Sequence, residues 1–77
     1  MEIGNTYSTR DIAEASALLA RGQKLIAVNK VDSVCYFNFK DAQVCKQTSN
    51  EYFFGELLVN ARLFHESFIR LKNKIFQ

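Results

Sequence analysis

Residues 24–40 read KLIAVNKVDSVCYFNFK, and this stretch decides the fold that the sequence predicts. It contains two runs rich in β-branched and aromatic residues, LIAVN and VCYFNF, on either side of a polar connection. This pattern is typical of a β-hairpin, because such side chains pack well on a pleated surface. The segments before and after it have helical periodicity and need a surface on which to pack.

The register of this hairpin is open between two alternatives. A four-residue connection, 30–33, pairs Val28 with Cys35 and gives one apolar face made of Ile26, Val28, Cys35, Phe37 and Phe39. The other face then carries Leu25, Ala27, Asn29, Val34, Tyr36 and Asn38. A three-residue connection shifts the first strand by one residue and exchanges its faces. We prefer the four-residue connection because it separates apolar from polar side chains more cleanly.

The residues before the hairpin predict a first helix over about 9–21. Ser8 is expected to cap this helix, with Asp11 in the reciprocal position of a capping box. Tyr7 and Ile12 occupy the two positions of a hydrophobic staple. Gly22 follows the last apolar turn, where a residue with positive φ ends a helix at little cost.

Two further helices are predicted after the hairpin. The first covers about 42–54, between Asp41 as its N-cap and Gly55 as its end. After an extended link over 56–59, Asn60 caps a last helix, whose apolar stripe consists of Phe64, Phe68, Leu71 and Ile75, widened by Ile69 and Phe76. With a short strand at 6–7 that could join the sheet, the prediction is an α+β fold. Phe37 and Phe68 are expected to join hairpin and last helix in one core.

Length and composition predict a single small domain over residues 1–77. A chain of 77 residues buries only roughly 60 to 65% of its unfolded surface, so a second chain would add stability. No apolar run approaches the roughly 18 residues of a membrane helix, and no secretory apolar region precedes Cys35 and Cys45. We therefore expect a cytoplasmic protein without membrane contact, in which both cysteines stay reduced.

Several motifs resemble a small uncharacterised prokaryotic and phage domain family. The opening order is Tyr-x-Thr-x-Asp-Ile-x-x-Ala-x-x-Leu-x-x-x-Gly-x-x-Leu over 7–25, followed by the Phe-x-Phe strand at 37–39. A tyrosine-rich helix end with glycine at 52–55 and a Leu-Lys pair at 71–72 complete the likeness. The chain departs from the family at Asn60 and Ala61, where a Val-Asp-Pro-like helix start is usual. The family is a domain of unknown function, so the resemblance implies a fold and no activity.

Few residues of the chain offer catalytic or metal chemistry. His65 is the single histidine, and neither Cys35 nor Cys45 has a neighbouring charge placed by the sequence to lower its pKa. These three residues are separated by ten and twenty positions, a spacing that matches no zinc pattern. The three glycines form no phosphate-binding loop. We therefore expect no enzyme activity, no cofactor and no metal.

The remaining function classes are binding classes. We expect a binding module that acts through self-association, as a homodimer, or through contact with another protein, with Val34 and Tyr36 in the interface. The alternative is an accessory protein that binds nucleic acid through Arg62, Arg70, Lys72 and Lys74 in the basic last helix. Tyr36 could then stack on a base, with Lys30 and Lys40 nearby. The net charge of +2 is too small to decide between the two.

Overall fold

Three helices and a three-stranded antiparallel sheet form an α+β fold in the computed structural model, which describes residues 5–76. In chain order the elements are β1 (Thr6–Thr9), α1 (Ile12–Ala20), β2 (Leu25–Val31), β3 (Val34–Lys40), α2 (Ala42–Phe53) and α3 (Ala61–Ile75). The strand order is β1-β3-β2, so β3 is the central strand. The predicted fold class is confirmed.

β1 is the strand expected at 6–7, and it is longer than predicted. It pairs antiparallel with β3, from Thr6 opposite Lys40 to Thr9 opposite Phe37. Ser8 consequently lies in the sheet, opposite Asn38. The prediction that Ser8 caps the first helix is therefore wrong, and so is the staple built on Tyr7.

Both predicted registers of the hairpin are wrong, because the turn is shorter than either allowed. Asp32 and Ser33 alone connect the strands, and Val31 pairs with Val34. Both turn residues have positive φ, 50° and 70°, as a type I′ turn requires. This turn is favoured in two-residue hairpins because its twist matches that of the strands.

The residues predicted on each face of the hairpin in the preferred register are found there, with one exchange at the start of β2. The observed pairing differs from it by two residues, an even shift, so Val28 still shares a face with Phe37, its observed partner. An irregularity between Leu25 and Ala27 then brings Leu25 opposite Phe39 in place of Ile26, whose side chain is 55% exposed.

α1 begins later than predicted and ends as predicted. Asp11 is its N-cap, and the carboxylate accepts hydrogen bonds from the backbone N–H groups of Ala13 and Glu14. At the other end Gly22 has a φ of 95°, and its N–H donates to Leu19 O at 3.0 Å. The Gln23 N–H reaches Leu18 O at 3.0 Å, which completes a Schellman motif.

The two later helices follow the predicted boundaries closely. α2 ends at Phe53, and Gly55 with a φ of 74° terminates it. Asp41 occupies the N-cap position with a φ of 65°, but its side chain makes no capping hydrogen bond. Asn60 caps α3 as predicted, because its Oδ1 accepts from the Leu63 N–H at 3.0 Å.

All three helices contribute to a core on one face of the sheet. The buried apolar cluster consists of Ala15, Leu18, Phe37, Phe39, Cys45 and Leu71. Phe37 is a core residue as predicted, whereas Phe68 is half-buried and lies outside this cluster, so Leu71 supplies the contact from α3. Ile69 and Phe76 do not widen the buried stripe, because they are 41% and 78% exposed.

Candidate functional site: the open face of the sheet

The face of the sheet opposite the core is the candidate binding site. Since the helices pack on the side of Phe37 and Phe39, the alternate strand residues point the other way. We call this surface the open face; it carries Ser8 from β1, Ala27, Asn29 and Val31 from β2, and Val34, Tyr36 and Asn38 from β3.

The two residues expected in an interface, Val34 and Tyr36, are neighbours on the apolar half of the open face. Both are half-buried, and the Val31 partner of Val34 is 53% exposed. The β1 pairing stops at Phe37, so residues 34–36 pair with β2 alone within the described part of the chain. One backbone edge of the central strand is therefore open beside these side chains.

A polar pair separates this apolar half from the rest of the face. Asn38 Nδ2 donates a hydrogen bond to Asn29 Oδ1 at 2.6 Å, between the two strands of the hairpin. Beyond it the face carries the hydroxyl of Ser8. Val31, Val34 and Tyr36 thus lie on one side of the two asparagines, and Ala27 and Ser8 lie on the other.

The four basic residues named for nucleic-acid binding are all exposed on α3, and two of them have partners within that helix. Arg62 Nε lies 3.5 Å from the Glu66 carboxylate, in an ion pair whose side chains are 87% and 56% exposed. Lys72 Nζ lies 5.8 Å from the centroid of the Phe68 ring, one turn away on α3. Both cations therefore have a partner within their own helix.

Arg70 and Lys74 are the two that the structure brings together. They are one turn apart on α3, and both line a cavity of about 210 Å³ with Leu71. α3 packs against α1, and its Leu71 joins the core on the covered side of the sheet, whereas Tyr36 belongs to the open face.

Cys35, Cys45 and His65 lie on three different elements: β3, α2 and α3. Cys45 is buried, its Sγ donates to Lys40 O at 3.3 Å, and burial raises the pKa of this thiol. Cys35 is free and half-buried, and His65 is exposed on α3. Within residues 5–76, no three His, Cys, Asp or Glu side chains are close enough to hold a metal ion.

A cluster of hydroxyl groups surrounds Glu14, and the sequence did not predict it as a site. Glu14 Oε2 accepts hydrogen bonds from the Tyr7 hydroxyl at 2.5 Å and from Ser49 Oγ, and Oε1 accepts from Thr9 Oγ1 at 2.8 Å. Burial, reinforced by the bond to Glu14, raises the pKa of Tyr7. A cavity of about 210 Å³ beside the cluster is also lined by Tyr52. The cluster connects β1, α1 and α2.

A signal for part of this cluster is present in the sequence. Tyr7 and Thr9 alternate along a strand, so their hydroxyls share a face, and Glu14 lies in the first turn of the helix that follows. Ser49 has no such signal, because it is 35 residues from Glu14 and meets it only through packing.

Comparison with known proteins gives a family and nothing more specific. A family model described as "Domain of unknown function (DUF5659)" matches residues 4–77. No curated protein and no solved structure matches the chain. In the described part of the chain, none of the helices has the length and apolar character needed to cross a membrane.

Proposed function

Because the chain belongs to this family of domains of unknown function, we propose a role from its own surfaces: a non-catalytic binding module that acts by forming a homodimer. The observation that carries the proposal is the open face, an apolar strand surface on which no helix of residues 5–76 packs. A prokaryotic or phage source and a cytoplasmic location stay predictions from the sequence.

The chemistry of the side chains supports binding rather than catalysis. A nucleophilic cysteine needs an accessible thiolate, but burial raises the pKa of Cys45 and keeps the thiol protonated. His65 is exposed on α3 and is not among the partners of the Glu14 carboxylate, which are Tyr7, Thr9 and Ser49.

The proposed contact joins the apolar halves of two open faces across a two-fold axis. Val31, Val34 and Tyr36 of each copy would lose their remaining contact with water. Full burial of such a side chain contributes about 1.5–3 kcal/mol, and less for one that is already half-buried. Association costs about 4–15 kcal/mol, and a micromolar dimer needs a net gain of about 8 kcal/mol, so the balance reaches that affinity only at the low end of the association cost.

Light scattering tests the proposal on the intact chain at tens of micromolar. We expect twice the chain mass for the wild type and the monomer mass for Tyr36→Lys, because the substitution puts a charge into the apolar contact. Gln47→Lys is the matched control, since Gln47 is exposed on α2, away from the open face, and should leave the mass unchanged.

Circular dichroism would establish that each variant keeps the fold. A monodisperse wild-type monomer at this concentration would overturn the dimer. A Tyr36→Lys protein that remains folded and dimeric would overturn the open face as its interface.

Nucleic-acid binding is the second candidate, and the adjacency of Arg70 and Lys74 favours it. Two cations one turn apart can contact neighbouring phosphates, with an affinity that falls as salt rises. We expect Arg70→Glu with Lys74→Glu to abolish binding to a labelled oligonucleotide at about 50 mM salt. Arg10→Glu with Lys46→Glu is the charge-matched control, because both residues are exposed and lie outside α3. If the wild type binds neither single-stranded nor double-stranded oligonucleotide, nucleic-acid binding is refuted as a function.

A further inference from the structure

A cavity of about 210 Å³ lies where α1, β2 and α3 come together. Its lining consists of Leu19 near the end of α1, Leu25 at the start of β2, and Arg70, Leu71 and Lys74 on α3. We call it the basic cavity. None of its lining residues belongs to the open face, so the basic cavity is a separate feature of the fold.

The apolar part of the lining is continuous with the core. Leu71 is 2% exposed and belongs to the buried cluster, and the half-buried Leu19 and Leu25 pack against that cluster. The basic cavity is therefore a place where the core reaches the surface without being filled. An apolar cavity of about 150 Å³ holds a benzene molecule, so the basic cavity has room for an apolar group of about six carbons.

The polar part of the lining carries positive charge alone. Arg70 and Lys74 are exposed one turn apart on α3, and the lining contains no carboxylate. Within residues 5–76 the one salt bridge joins Arg62 to Glu66, so no carboxylate of that part of the chain neutralises either cation of the cavity. The helix dipole favours cations in the last turns of α3, but it does not account for the apolar cavity that they line.

We propose that the basic cavity binds a small amphiphilic anion, with a carboxylate or phosphate head group on an apolar tail of about six carbons. The tail fills the space beside the three leucines and removes their remaining contact with water. The head group lies at the mouth, where the Arg70 guanidinium donates paired hydrogen bonds and the Lys74 ammonium adds a second charge. The long stems of both side chains extend the apolar wall while their charged ends stay in water.

The lining favours this ligand over a nucleic acid at the same two cations. A nucleic acid needs Arg70 and Lys74 for its phosphates, but its backbone has no apolar tail to place against the leucines. An amphiphilic anion uses all five lining residues. A substitution that fills the cavity and keeps both cations therefore separates the two ligand classes. The open face takes no part in this site, so the inference does not rest on the homodimer.

Amide NMR on the intact chain at neutral pH and low salt tests the site directly. The ligands are hexanoate and hexyl phosphate, which share a tail and differ in the head group. We expect a saturable shift of the Leu19, Leu25 and Leu71 amides with at least one of them, and the tighter of the two identifies the head group. If neither ligand shifts these amides, the proposal is overturned.

Ligands that lack one half of the amphiphile show whether both halves bind. Each methylene buried in the cavity should strengthen binding about fourfold, so butanoate should bind about 15-fold more weakly than hexanoate. Hexanol and hexylammonium should bind at least about tenfold more weakly, because they give the two cations no anion. If hexanoate binds no more tightly than acetate, or no more tightly than hexanol, the amphiphilic site is overturned.

Substitutions on α3 test the two cations. Arg70→Gln with Lys74→Gln should weaken hexanoate and hexyl phosphate at least about tenfold. Arg62→Gln with Lys72→Gln is the matched control, since it removes the same charge from the same helix at exposed positions outside the lining. This control should change the affinity by less than about twofold. An equal loss in both double variants would overturn the assignment of the head group to Arg70 and Lys74.

Leu19→Phe tests the cavity, because the larger side chain fills it and leaves both cations in place. Circular dichroism checks the fold, and Leu25→Phe replaces this variant if the protein is unfolded. We expect the folded variant to lose at least about tenfold in hexanoate affinity, and an unchanged affinity would overturn the place of the tail. Tyr36→Lys should bind hexanoate as the wild type does, whether or not the wild type is a dimer.

Discussion

The Tyr7 hydroxyl donates a hydrogen bond to Glu14 Oε2 at 2.5 Å, and this contact connects β1 to α1. Ser49 donates to the same oxygen from α2. Two consecutive elements, β1 and α1, and a third that is distant in the chain, α2, thus meet at one carboxylate. Hydrogen bonds to a charged group are stronger than neutral ones, so this cluster should contribute measurably to the stability of so small a domain.

Glu14→Gln should lower the free energy of unfolding by about 1–3 kcal/mol. The amide is neutral and has one acceptor oxygen, so all three hydroxyls lose a charge-assisted bond and at least one also loses its acceptor. Urea unfolding at neutral pH measures the change. Glu66→Gln is the matched control, because its pair with Arg62 is exposed and should contribute less than about 1 kcal/mol. Equal effects of the two substitutions would contradict this role of Glu14.

Stability should fall as the pH rises above about 9. Burial, followed by the charges of Asp41 and Glu14, raises the pKa of Cys45 from 9.0, and burial raises the pKa of Tyr7 and Tyr52 from 10.0. Above the ordinary pKa values the unfolded chain loses these protons first. It then binds fewer protons than the folded protein, so alkaline pH favours unfolding.

Urea unfolding at several pH values between about 7 and 11 measures this loss. Tyr7→Phe should flatten the part of the decline that begins near pH 10, and Cys45→Ala the part that begins near pH 9. Each variant also changes packing, which shifts the free energy of unfolding at every pH. The slope of that free energy against pH is therefore the quantity to compare. An unchanged slope in both variants would show that other groups cause the decline.

Ser33→Gly should stabilise the domain by about 0.5–1 kcal/mol. Ser33 has a φ of 70° in a two-residue turn, where glycine adopts the required conformation without a steric cost from Cβ. The same substitution at Ser8, in the extended β1, should destabilise by a similar amount. Thermal unfolding shows whether each variant is more or less stable than the wild type. A loss of stability in Ser33→Gly would contradict the type I′ turn.

Phe37→Ala should cost roughly 3 to 5 kcal/mol, most of the stability of a domain of this size. Phe37 is 1% exposed and touches residues from the helices and the sheet. Phe68→Ala should cost less, because Phe68 is half-buried. Thermal melting compares the two, and a Phe37→Ala protein that melts within a few degrees of the wild type would refute the assignment of the core.

Signals that act within a few residues predicted much of the secondary structure. Gly22 correctly predicted the end of α1, and Asn60 correctly predicted the start of α3. Both predictions hold because capping depends on groups less than about one turn away. The local signal at Ser8 failed for a tertiary reason. Pairing with Asn38 placed Ser8 in a strand, and Asp11 became the cap.

The period of a strand is two in every register, so the order of residues already placed Phe37 and Phe39 on one face, opposite Val34 and Tyr36. It could not determine the register, since turns of two and of four residues place the same strand residues on each face. The tertiary structure has a two-residue turn and an irregularity between Leu25 and Ala27. The Glu14 cluster and the exposure of Phe53, Phe54 and Leu58 likewise depend on how distant segments pack, and only the tertiary structure decides them.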